Sequence, residues 1–95
     1  MEKFVAVIEK APQNYSAYLP DVPGCISTGS TLDETLHNIR EALEFHLETL
    51  ADEGAVMPVA FTLESHLSNG DIILEEDVVI AYVTVDIRSE SATHS

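Results

Sequence analysis

"TLDETLHNIREALEFHLETLADEG", Thr31–Gly54, is the stretch whose reading decides the fold. Leu32, Leu36, Ile39, Leu43, Leu47 and Leu50 recur at spacings of four, three, four, four and three. That winds them into a single apolar stripe along a helix. Ser30 or Thr31 can cap its start, Glu34 completes a T-x-x-E box with Thr31, and Gly54 is a stop signal. A helix with one apolar stripe needs something to bury it against, and the flanking sequence must provide it.

Working outward, Phe4–Glu9 (FVAVIE) is apolar on both alternating faces, as in a strand covered on two sides. Tyr15–Leu19 and Cys25–Thr28 are shorter apolar stretches set apart by "KAPQN" and "PDVPG", which reads as a three-stranded antiparallel meander. Downstream of Pro58, "TLESHLSNG" fits a short helix stopped by Asn69 and Gly70, and "EED" fits a turn. Val78–Ile87 (VVIAYVTVDI) is a second run rich in β-branched residues and long enough for a strand. The expected domain is therefore α+β and spans residues 1–87, with 88–95 as a polar tail. The long helix returns the chain, so a right-handed crossover would lay the fourth strand parallel to the first, both at the sheet centre. The sheet face away from the helix then needs cover from the short helix or from a second copy of the chain.

Charge is the strongest compositional signal. Seventeen acidic residues stand against four basic ones among 95, a net charge of −13, while an apolar content of 45% points to a folded domain. Lys3, Lys10, Arg40 and Arg88 are scattered singly, which argues against binding a nucleic-acid backbone. The acidic surface either keeps the chain soluble or steers it toward a basic partner. No apolar run is long enough for a membrane span, and a lone cysteine cannot form an internal disulfide, so a cytoplasmic protein is expected.

Few residues are arranged for chemistry. Cys25 has no base placed near it by sequence and reads as a small buried apolar residue. The four histidines, at 37, 46, 66 and 94, lack i, i+3 or i, i+4 spacing, so no metal site and no cofactor are expected. Gly24 and Gly29 read as turn and strand-end positions of unusual φ. The strand order suggests part of a ribonuclease-H-like fold, whose metal ions need carboxylates on adjacent central strands. Here only Glu9 and Asp86, both at strand ends, are on offer. Phe45 falls opposite the leucine stripe, among Glu34, Glu41, Glu48 and Asp52, and an aromatic residue ringed by carboxylates is how a partner-binding patch is built.

The stretch "YSAYLPDVPGCISTGSTLDETLHNIREALEFHLETLADEGAVMP", Tyr15–Pro58, resembles the HicB family of antitoxins. The likeness rests on P-D-x-P-G-C, a glycine ahead of a T-x-x-E helix start, an E-A-L segment and an acidic residue with glycine before a proline. "VVIAYVTVDI" resembles the family's last strand. Two departures stand out: Thr35 occupies a place where alanine is usual, and no C-terminal DNA-binding domain is expected after Ile87.

The resemblance implies a partial ribonuclease-H-like domain that is not an enzyme. It also implies a role in neutralising a small basic HicA-like toxin, one that cleaves messenger RNA, by occluding its RNA-binding surface. On that reading Asp21, exposed at the tip of PDVPG, and Glu41, Phe45 and Glu48 on the helix are the expected toxin contacts. The chain would also form a homo-oligomer, a dimer or tetramer, through the uncovered sheet or an edge strand. Two alternatives stay open at this point: a solitary oligomeric adaptor without a toxin, and a weak metal-dependent nuclease using Glu9 and Asp86.

Overall fold

The computed structural model describes residues 2–86. Its elements are β1 (Glu2–Lys10), β2 (Tyr15–Tyr18), β3 (Ile26–Gly29), α1 (Leu32–Asp52), α2 (Leu63–Asn69) and β4 (Val78–Val85). One mixed α+β layer results, with a four-stranded sheet in the order β3-β2-β1-β4.

The meander forms as its turns dictate. Ala11 donates to the Asn14 carbonyl, closing a tight hairpin over Pro12 and Gln13. PDVPG is two successive β-turns, Val22 donating to the Leu19 carbonyl and Cys25 to the Val22 carbonyl. Each turn has proline at its second position, and Gly24, at φ +88°, takes the left-handed place a type II turn demands. Gly29 differs from expectation: its φ is not positive. What demands glycine there is close approach, because an added Cβ would lie 2.6 Å from Thr35 Oγ1 and 2.7 Å from Thr35 N.

Helix α1 starts at Thr31, whose hydroxyl accepts the Glu34 amide at 3.0 Å. Glu34 reaches back one residue further than in a standard capping box, accepting the Ser30 amide at 2.7 Å. The Ser30 hydroxyl, and then its amide, hold the Glu34 carboxyl below its usual pKa. Ala55 donates to the Leu50 carbonyl and Gly54, at φ +69°, to that of Ala51, so the helix closes as its glycine predicts. Replacing Thr31 with alanine should cost about 1 kcal/mol, read as a lower denaturation midpoint with an unchanged m-value.

The fourth strand is antiparallel to the first, not parallel. Glu2 stands opposite Val85 and Glu9 opposite Val78. The parallel fourth strand that a ribonuclease-H-like order requires is therefore absent. The cause lies on the second sheet face. Val5 and Val7 of β1 point away from α1 and are fully buried, covered by Ile72 and Leu63 and packed beside their sheet neighbour Ile80. The long connection after α1 crosses to that face, lays α2 and Ile72 over it, and reaches β4 from the Lys10 end of the sheet, where Lys10 donates to the Asp77 carbonyl. The short helix thus supplies the cover that the doubly apolar β1 needs. Strand β4 pairs with β1 as expected, but at the sheet edge rather than its centre.

The main core lies between α1 and the sheet. Phe4, Ala6 and Ile8 of β1, Ala17 of β2 and Val83 and Val85 of β4 meet Ile39, Leu43 and Leu47 of the helix. Thr35, fully buried, extends the helix stripe by one turn, its hydroxyl donating to the Thr31 carbonyl at 2.7 Å. Cys25 is buried in the same cluster, and desolvation pushes its thiol pKa up, which makes it a poor nucleophile. Ile87 and the polar tail lie outside the described residues.

Candidate functional site

Burying one stripe of α1 turns the opposite one outward. Glu41, Phe45 and Glu48 sit at i, i+4 and i+7, share that outer face and are all exposed. Phe45 is 71% exposed, so the described residues leave it largely open to solvent. Glu41 keeps a surface contact with His37 at 3.3 Å, and Arg40 one with Glu44 at 3.5 Å. Pairs as exposed as these contribute little to stability, so the carboxylates remain available to a partner. The face offers fixed negative charge around an aromatic anchor, a chemistry of binding rather than of proton transfer.

Asp21 does not join this face. It sits in the third place of the first PDVPG turn, and its side chain is turned inward and only 5% exposed. Its Oδ2 accepts from the Phe61 amide at 2.9 Å and lies 3.0 Å from His66 Nε2. The other imidazole nitrogen, Nδ1, lies 3.0 Å from Asp71 Oδ2. Asp71 is delivered there by the end of α2, where Gly70, at φ +80°, lets Asp71 N–H reach the His66 carbonyl and Gly70 N–H that of Leu67.

Both ring nitrogens of His66 thus face carboxylates, and both can donate only in the imidazolium. Burial opposes that charge, but the hydrogen bonds to Asp21 and Asp71 and the charges of both carboxylates outweigh it, so the His66 pKa is raised. Phe61 packs its ring edge-on to the imidazole. This buried cluster ties the PDVPG loop to α2. The sequence reading missed it because 45 residues separate Asp21 from His66. The one local hint was Asp71 just past the Asn69-Gly70 stop, five residues after His66.

Glu9 and Asp86 are not brought together. In the antiparallel register Glu9 is level with Val78 at one end of β4, while Asp86 follows Val85 at the other. At about 3.3 Å per residue the two lie more than about 20 Å apart along the strand. The two-carboxylate nuclease reading loses its geometry. Among the described residues no group of three or more His, Cys, Asp or Glu side chains could hold a metal ion, and no helix is long and apolar enough to cross a membrane.

The family model for the HicB-like antitoxin of bacterial toxin-antitoxin systems matches residues 4–94. The chain belongs to that family. Relatives include an uncharacterized 14.9 kDa protein of Haemophilus phage HP1, 34% identical over 84% of this chain and 58% of the relative. The chain therefore spans little more than half the length of that protein. A UPF0150 protein of Helicobacter pylori is 47% identical over 55% of this chain and 74% of its own.

Among solved structures, the Burkholderia pseudomallei antitoxin HicB is 32% identical with a TM-score of 0.78, over 94% of this chain and 67% of that one. A chain of the HicA3 and HicB3 toxin-antitoxin complex is 25% identical with a TM-score of 0.71, over 90% of this chain and 99% of that one. The HicB-like fold and the antitoxin family are thus shown together.

Proposed function

We propose that this chain acts as an antitoxin that neutralises a small basic HicA-like toxin by covering the cationic surface the toxin would offer to RNA. Membership of the antitoxin family carries the reading, and the exposed Glu41, Phe45 and Glu48 face supplies a physical means for it. A chain of net charge −13 attracts a basic partner from a distance, and Phe45 gives the encounter a desolvated centre. Occlusion of this kind asks no chemistry of the antitoxin. Asp21 contributes from beneath, by holding the PDVPG loop against α2, and not through an exposed carboxylate.

The reading is tested by tagging the protein in its native host, purifying at low salt and weighing the intact chains that co-elute. A small basic chain in fixed ratio is expected. If none appears, the antitoxin reading fails. With the partner in hand, reversing charge at Glu41 and Glu48 together should slow association by about tenfold at low salt and flatten its salt dependence. Unchanged rates would place the contact elsewhere.

A further inference from the structure

Beside the His66 cluster lies a cavity of about 370 Å³. Tyr18 and Phe61 give it aromatic walls, Asn69 gives it a side-chain amide, and Asp21, His66 and Asp71 line its charged side. None of these residues comes from α1, so the cavity is separate from the Glu41, Phe45 and Glu48 face. Its size falls in the range of small-ligand sites, about 300–1,000 Å³.

The charges around the cavity do not balance. Two carboxylates meet one imidazolium, which leaves one negative charge in excess. The hydrogen bonds of both carboxylates run through Oδ2. Asp21 Oδ2 takes the Phe61 amide and His66 Nε2, and Asp71 Oδ2 takes His66 Nδ1. The Oδ1 atom of each keeps its acceptor capacity for a ligand. Two neighbouring carboxylates are not by themselves a site. Here the excess charge is fixed at a concave surface between two aromatic rings, where the carboxylates and the ring faces attract a cation together.

The lining selects among cations. No group of three or more His, Cys, Asp or Glu among the described residues could hold a metal ion. A primary ammonium is strongly hydrated, whereas a guanidinium is weakly hydrated, stacks on aromatic rings and carries five N–H donors in a planar fork. Oδ1 of Asp21, Oδ1 of Asp71 and the Asn69 side-chain carbonyl offer acceptors to such a fork. We infer that this cavity binds an alkylguanidinium group, neutralised by the carboxylates of Asp21 and Asp71 and enclosed by the rings of Tyr18 and Phe61. What the acidic helix face binds has no bearing on this site.

Binding of this cation competes with protonation of His66. Asp21 from the PDVPG loop and Asp71 beyond α2 are the charged groups that act on the imidazole, and Tyr18 of β2 is the other titratable group lining the cavity. Burial raises the Tyr18 pKa above its usual value of 10.0, so Tyr18 stays neutral while His66 titrates. Loss of the His66 proton takes the cluster from one excess negative charge to two. The cation then binds more tightly above the His66 titration than below it, and by linkage the bound cation lowers the His66 pKa.

NMR titration of the full chain with methylguanidinium, in about 0.15 M salt to screen the diffuse surface charge, tests this. Saturable shifts are expected at the His66 ring and at the amides of Phe61, Asn69 and Asp71. Affinity should be about tenfold higher above the His66 titration, which at saturation lowers the His66 pKa by about one. Methylurea, a neutral analogue of similar shape, should leave the spectrum unchanged. Asp71→Asn should weaken binding at least about tenfold, the loss of a charge-assisted contact. Glu64→Gln removes the same charge from α2 outside the cavity and should leave the affinity within about twofold. N-acetyl-arginine amide separates the two sources of the group: binding as tight as methylguanidinium assigns the site to an arginine side chain, and binding of methylguanidinium alone assigns it to a free small ligand. Shifts that spread over the acidic surface without saturating, or a His66 pKa in the wild-type chain that the ligand does not lower, would overturn the inference.

Discussion

Replacing Asp21 with alanine is expected to cost about 3–5 kcal/mol, the range for removing one partner of a buried charge pair. The variant strips the 3% exposed His66 of its better buried carboxylate and leaves the Phe61 amide without its acceptor. Against a total stability of about 5–15 kcal/mol the loss is severe, and a chain of this size should melt more than about 10 °C lower. Asp71→Ala should cost far less, since the Asp71 side chain is about half exposed and water can replace it. Equal effects of the two variants on thermal melting would refute the assignment of the buried role to Asp21.

The same cluster sets the sign of a pH dependence. His66 has a higher pKa in the folded chain than when unfolded, where it is about 6.5. The folded state then binds more protons across that window, so the cluster's contribution is fully present below about pH 6.5 and is lost as pH rises through the folded value. The stability difference between wild type and His66→Gln should accordingly shrink from pH 6 toward pH 9. A difference that stayed flat with pH would mean His66 is neutral in the folded protein.

Gly29→Ala is the second substitution expected to do serious damage. The added Cβ would meet Thr35 at Oγ1, N and Cα, all within 2.9 Å. Thr35 cannot give way, because it is fully buried and its hydroxyl is tied to the Thr31 carbonyl. Relief requires lifting the first turn of α1 from β3, and overpacking of this kind costs about 1–3 kcal/mol. Adding Thr35→Ala should recover only part of the loss, since the contacts to the Thr35 backbone remain. A denaturation midpoint for Gly29→Ala equal to wild type would show that strand and helix can separate without cost.

Much of this was legible in local sequence. The leucine stripe placed α1 and its buried face, the T-x-x-E and glycine signals placed its ends, and PDVPG marked the corner between two strands. Each of those signals acts within a few residues, through spacing or φ. Phe45 followed directly, because the angle between a buried stripe and its opposite is fixed by the helix itself. The inward turn of Asp21 was not legible, since a turn residue looks solvent-exposed until its distant partner is known. Nor was the direction of β4.

The sequence by itself determined which segments are strands and helices, which faces they bury and that the outer face of α1 is acidic around one aromatic residue. These follow from hydrophobic period, capping and turn chemistry, which act over a single element. Only the tertiary structure decided that β4 runs antiparallel at the sheet edge, that Glu9 and Asp86 stand at opposite ends of it, and that His66 lies between Asp21 and Asp71. Those outcomes depend on how the connection after α1 covers Val5 and Val7. A doubly apolar strand demands cover on both faces, but its residues do not say from which end of the sheet the covering chain will return.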